Sequence, residues 1–191
     1  MHERLFNVPN SITLLRLLAV PGVAWLILHR QWDAACWLFL AAALSDGLDG
    51  WLARALGQTT QIGAALDTVA DKALGVVTLV MLTIEDAIPL GVTLAILLRD
   101  TVIVLGALSY RGLAGHLEIH PTRLGKLHMF AEFALLAGVL AVLAGLLQTG
   151  IWLNGLFTAV FAVAVISGIQ YVWIWSAKAR AEKIGARVRR D

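Results

Sequence analysis

The chain has 191 residues, 59% of them hydrophobic and only 15% charged, with a net charge of +2. A soluble domain carries about 25% charged residues, so the composition argues against an ordinary soluble fold and points to an integral membrane protein of one domain, residues 1–191. The single cysteine, Cys36, excludes an intrachain disulfide and reads as a small buried hydrophobe.

Along the chain, Met1–Asn10 is too polar for the start of a cleavable signal peptide. Leu5, Phe6 and Val8 suit a short amphipathic surface helix over residues 1–10, with Pro9 at the start of the first span and Asn7 or Asn10 near its cap. About 20 apolar residues in a helix cross a bilayer. Six segments meet this: Ile12–Leu28, Ala34–Leu56, Ile62–Thr83, Ile88–Tyr110, Leu124–Leu147 and Ile151–Ser176. Turn or charge signals separate them at His29-Arg30-Gln31, Gly57-Gln58, Glu85-Asp86, Arg111–Arg123 and Gln148-Thr149-Gly150. The segments are uniformly apolar rather than alternating, which argues against a β-barrel. The expected fold is an all-α integral membrane protein of six transmembrane helices with a basic tail over residues 177–191.

Six spans place both termini on one side. Arg4, Arg54, Arg111, Arg123, Lys126 and the tail share that side, while the other has Arg30 with Asp33, Glu85 and Asp86. Lys and Arg concentrate on cytoplasmic flanks, so both termini are expected in the cytoplasm. Trp32 and Trp152 then mark the outer interface and Trp173 and Trp175 the inner one, with plain packing as the alternative for each.

Four acids interrupt the oil: Asp46 and Asp49 near the end of the second span, Asp67 and Asp71 near the start of the third. Spacings of three and four put each pair on one helix face. Carboxylates in apolar surroundings need partners, and four of them at one depth form an oxygen-rich cage suited to hard divalent cations. Arg54, Lys72 and Arg99 are too few to pair with them all. Gly47, Gly50, Gly57 and Gly63 punctuate the same stretch, for close approach of a ligand or of another helix.

Read in order, the stretch is Asp46-x-x-Asp49-Gly50-x-x-Ala53-Arg54, eight residues, then Gly63, three residues, Asp67, three residues and Asp71. At all eight fixed positions this resembles the signature of the CDP-alcohol phosphatidyltransferase family. The resemblance implies a phosphatidyl group moved from CDP-diacylglycerol to an alcohol with release of CMP. It implies that Asp46, Asp49, Asp67 and Asp71 bind Mg²⁺ or Mn²⁺, as two ions, and that Asp71 is the general base on the acceptor hydroxyl. It assigns Gly50, Ala53, Arg54 and Gly63 to the CDP donor. A homodimer is expected on the same basis, and the charge asymmetry of the loops puts the active site at the cytoplasmic face of what is expected to be a bacterial inner membrane.

Two further stretches, Asn7–Arg16 and Pro121–Lys126, resemble the branch that makes phosphatidylglycerophosphate and cardiolipin. Arg99-Asp100, followed by Gly106-Ala107-Leu108 where phosphatidylglycerophosphate synthases have a second arginine, looks more like a cardiolipin synthase. Phosphatidylglycerol is therefore the expected acceptor, with glycerol 3-phosphate the alternative. Arg99, Arg123, Lys126 and His128 are the candidate acceptor contacts. Glu132 is an extra acid in the fifth span that either pairs with Arg99, Arg123 or Lys126 or meets the acceptor. Met129 and Phe130 read as lipid- or core-facing packing. The tail carries Lys178, Arg180, Lys183, Arg187, Arg189 and Arg190, a topology anchor on anionic membrane lipids. Nucleic acid is not an expected partner. An ion-coupled transporter or channel, and a purely structural membrane protein, are the rival classes; neither accounts for the eight-residue spacing.

Overall fold

The computed structural model describes residues 8–56, 61–114 and 122–188, and the side-chain surroundings of residues 13–45, 67–109 and 122–177. Among the described residues six helices follow one another: α1 (Val8–Leu28), α2 (Trp32–Leu56), α3 (Gln61–Ile84), α4 (Leu90–Ala114), α5 (Arg123–Leu143) and α6 (Ile151–Val188). No strand occurs among the described residues. The expected surface helix falls mostly on residues 1–7, outside the described part.

The helices start and stop close to the turn signals, with two differences. The fifth ends at Leu143, four residues before the apolar run does. Gly145 there takes a left-handed φ of 71°. Its N–H donates to the Val142 carbonyl and that of Leu146 to the Ala141 carbonyl, the paired bonds of a Schellman cap. A backbone turn thus overrides the apolar pattern of Leu146-Leu147. The sixth helix runs through the basic segment to Val188, so most of the expected tail is helical backbone.

The chain divides into two compact units. The first comprises residues 1–88 and 133–153, the second residues 89–132 and 154–191. In the first, α1 packs along both α2 and α3, which touch each other far less among the described residues. Val23 and Ile27 of α1, Cys36 and Phe39 of α2, and Leu74, Leu79 and Leu82 of α3 are all buried. Cys36 is free and buried, as its apolar setting suggested. Phe39 stacks on Phe133, with ring centroids 5.5 Å apart. The C-terminal ends of α1 and α3 lie side by side, since Arg30 Nε donates to Glu85 Oε2 at 2.9 Å.

In the second unit, α4, the first turns of α5 and α6 come together around Arg99. Gly106 of α4 faces the Trp175 indole so closely that a Cβ at this position would lie 2.4 Å from Trp175 Cδ1. Packing therefore describes Trp175 better than an interfacial anchor does. Trp173 is exposed, as an anchor should be.

Leu90–Ser109, Arg123–Leu143 and Ile151–Ala177 are long and apolar enough to cross a membrane. Among the described residues, α1 and α2 carry shorter apolar stretches, Thr13–Leu28 and Trp32–Ser45. Within the described part of α3, Asp67, Asp71 and Lys72 interrupt the apolar run. Large apolar side chains lie exposed on every helix, among them Leu18, Trp37, Val69, Leu98, Phe130 and Ile169. Soluble monomers seldom expose contiguous apolar surface on this scale, and lipid is the solvent that suits it. Met129 and Phe130 are part of this outward surface.

Candidate active site

The two aspartate pairs lie on unbroken helix. Asp46 and Asp49, with Gly50, Ala53 and Arg54, stand in the last three turns of α2; Gly63, Asp67 and Asp71 stand in the first three of α3. The side chains of residues 46–66 lie outside the described surroundings, so Asp46, Asp49, Ala53 and Arg54 are placed by backbone alone. Asp67 and Asp71, one turn apart on α3, are both partly exposed.

Asp67 has a partner that the sequence reading did not name. Arg16 Nη1 of α1 donates to Asp67 Oδ1 at 2.7 Å, and its Nε donates to the Ala42 carbonyl of α2 at 3.2 Å. The Arg16 side chain is 0% exposed and that of Asp67 38%. One buried guanidinium therefore joins all three helices beside the acids. A sequence signal for it existed: Arg16 is the sole charge in the apolar run from Ile12 to Leu28, and such a charge demands a partner.

The candidate acceptor residues separate into a buried and an exposed group. Arg99 is buried on α4. Its Nη1 donates to Asp100 Oδ1 at 2.7 Å, its Nε approaches Ser167 Oγ at 3.4 Å, and its guanidinium lies 5.8 Å from the centre of the Tyr171 ring. Tyr171 and Ser167 come from α6, which the sequence reading did not connect with Arg99. Arg123 and Lys126 are exposed in the first turn of α5. Thr122 caps that turn, its Oγ1 accepting from the Gly125 N–H at 3.0 Å. A Cβ on Gly125 would sit 3.0 Å from the Tyr171 hydroxyl and 3.5 Å from Arg99 Nη2, so glycine admits both groups to the turn. His128 is fully buried, with Nε2 3.5 Å from Glu132 Oε2 one turn on. Glu132 thus meets a partner outside the three cations considered for it.

The donor chemistry fits a divalent cation. Carboxylate oxygens are what Mg²⁺ and Mn²⁺ take, and Asp67 supplies them with one oxygen held by a guanidinium. Among the described residues no three His, Cys, Asp or Glu side chains gather; Asp67 and Asp71 are the two members of the four-acid set whose side chains are described.

The profile of the CDP-alcohol phosphatidyltransferases matches residues 6–185. The chain belongs to this family. It is an enzyme of the phosphatidyltransferase class, and the family is generally dependent on divalent metal. A CDP-diacylglycerol–glycerol-3-phosphate 3-phosphatidyltransferase of Cereibacter sphaeroides is 39% identical over 172 residues, covering 85% of this chain and 76% of that one. One of the same name from Shigella flexneri is 31% identical over 183 residues, covering 93% and 97%. A CMP-forming cardiolipin synthase of Streptomyces coelicolor is 37% identical over 109 residues, covering 54% and 51%. The phosphatidyltransferase expected from the aspartate spacing is thus the class to which the chain belongs. The acceptor expected from Arg99-Asp100 is not decided by these likenesses.

Proposed function

We propose that this phosphatidyltransferase uses CDP-diacylglycerol as donor and glycerol 3-phosphate as acceptor. The supporting observation is the extent of likeness. The two relatives named for that acceptor align with most of both chains at 39% and 31% identity. This reverses the preference drawn from Arg99-Asp100. The charge distribution agrees, since Arg123 and Lys126 stand on the first turn of α5, a helix end that itself favours anions, in the same unit as Arg99.

In this reading Asp46, Asp49, Asp67 and Asp71 hold the metal, two ions by expectation. A divalent ion there would supply neutralisation of the pyrophosphate charge. Gly50, Ala53, Arg54 and Gly63 hold the CDP portion; Arg54 has the fork geometry for phosphate oxygens. Asp71 takes the proton from the acceptor hydroxyl. The acceptor oxygen then bonds to the phosphorus that carries diacylglycerol. The bond from that phosphorus to the bridging oxygen breaks, and CMP leaves with both electrons of that bond. Six membrane-crossing helices with cytoplasmic termini put this chemistry where a lipid donor keeps its chains in the bilayer and its nucleotide in water. The family match across residues 6–185 supports one functional domain, and a homodimer remains part of the proposal.

A second reading rests on one contact. Asp100 already takes a hydrogen bond from the Arg99 guanidinium, which offsets part of the positive charge and suits phosphatidylglycerol, the less anionic acceptor. Purified enzyme given CDP-diacylglycerol with each acceptor in turn separates the two. Phosphatidylglycerophosphate by mass is the expected product; cardiolipin alone would overturn the acceptor assignment. Asp71→Asn should lower CMP release by at least about a hundredfold, within the range for losing a general base, with the fold retained by circular dichroism. Undiminished CMP release would remove Asp71 from its role.

A further inference from the structure

Arg16 is the one charge in the described part of α1 up to Leu28, and its side chain is entirely buried. It reaches α3 through Asp67 and α2 through the Ala42 carbonyl. Ala42 lies one helical turn before Asp46, so its carbonyl is the regular acceptor for the Asp46 amide. The same guanidinium therefore touches the backbone that carries the first acid pair and the carboxylate that opens the second. Among the described residues α2 and α3 meet each other less than each meets α1, so α1 is the described link between them.

The exposures of the two partners are unequal. Taking a charge out of water is costly, and only one of the two partners bears that cost in full. Here the cation is 0% exposed and the carboxylate 38%. Arg16 grips one oxygen, Oδ1, from the interior. A carboxylate has a second oxygen, and holding the first from behind turns the second outward.

We infer that Arg16 is a positioning residue for the metal site: it fixes Oδ1 of Asp67 so that Oδ2 is presented to the cation, and through Ala42 it sets the distance from α2 to α3. This rests on the reading of Asp67 as a metal ligand. Metal ligands are commonly oriented by hydrogen bonds from groups one layer out, and losing such a group costs about 10–100-fold in metal affinity or activity. Arginine suits the task because its Nε and Nη1 donate in two fixed directions at once. Lysine carries the charge without that fork.

The test is Mn²⁺ binding to full-length protein in detergent, read from the free-ion electron paramagnetic resonance signal without donor or acceptor. Arg16→Gln, Arg16→Lys and Asp67→Asn are compared with the parent, with thermal melts of the metal-free proteins alongside. Arg16→Gln should bind Mn²⁺ about 10–100-fold more weakly. Arg16→Lys should fall between, need more Mn²⁺ for half-maximal CMP release, and recover most of the parent kcat at saturating Mn²⁺. It also carries the test if Arg16→Gln does not fold. Parental Mn²⁺ affinity in Arg16→Lys with only a lowered melting point would show a packing role and overturn the inference. Tighter binding would overturn it too, by making Arg16 a competitor of the ion. Unchanged affinity in Asp67→Asn would instead remove Asp67 from the metal site, a failure of the underlying reading that the Arg16 variants alone would not produce.

Discussion

Gly106 and Trp175 show how one residue sets a helix contact. A methyl group at 106 would meet Cδ1 of the indole at 2.4 Å and Nε1 at 2.5 Å, closer than any real contact. Glycine costs about 1 kcal/mol of helix stability relative to alanine, so it is retained in α4 against the local preference. Gly106→Ala should recover that amount and lose about 1–3 kcal/mol to overpacking, for a net loss and a lower melting temperature in detergent. Trp175→Leu in the same chain should restore it. A melting temperature raised by Gly106→Ala alone would show that the indole moves aside freely. From sequence, Gly106 was notable only as part of a stretch without arginine. Its reason lies 69 positions away on α6, beyond any local pattern. Arg16 was overlooked for a similar cause, since its carboxylate partner is 51 residues distant.

At the scale of elements, three helices of the first unit end in the same manner. Arg30, Asp86 and Gly145 follow α1, α3 and α5 with φ of 56°, 58° and 71°. In each case the next N–H returns to a carbonyl five residues back: Gln31 to Leu26, Ala87 to Leu82, and Leu146 to Ala141. Glycine takes this conformation without strain, whereas a side chain costs about 1–2 kcal/mol, less for Asp. Asp86 is exposed. Asp86→Gly is therefore expected to raise stability by up to about 1 kcal/mol, and Gly145→Ala to lower it by about 1 kcal/mol, both read from thermal melts. A stabilised Gly145→Ala would contradict the cap. These stops also explain how far the helix boundaries were legible. Charge and turn residues marked the ends of α1 and α3 correctly. At α5 the apolar Leu146-Leu147 concealed an end that backbone geometry imposes.

For the whole molecule, membrane character follows from composition and from the exposed apolar faces together, while the number and direction of spans rest on the charge asymmetry of the loops. The proposed six-span arrangement has a direct check. A fluorescent protein fused after Asp191 should fold and fluoresce, and alkaline phosphatase at the same point should stay inactive; active phosphatase would place that end outside. Within the site the division between sequence and structure is sharp. Eight residues from Asp46 to Asp71 carry the resemblance to the family, and helical periodicity puts the acids three and four apart on one face. Family membership and the reaction class were therefore determined by the sequence. Tertiary structure decided what the spacing could not contain: that Arg16 holds Asp67 and touches α2, that Tyr171 and Ser167 surround Arg99, and that Glu132 meets His128. Such pairings depend on which helix faces which. That choice is made by packing between distant segments, and no periodicity within a single helix encodes it.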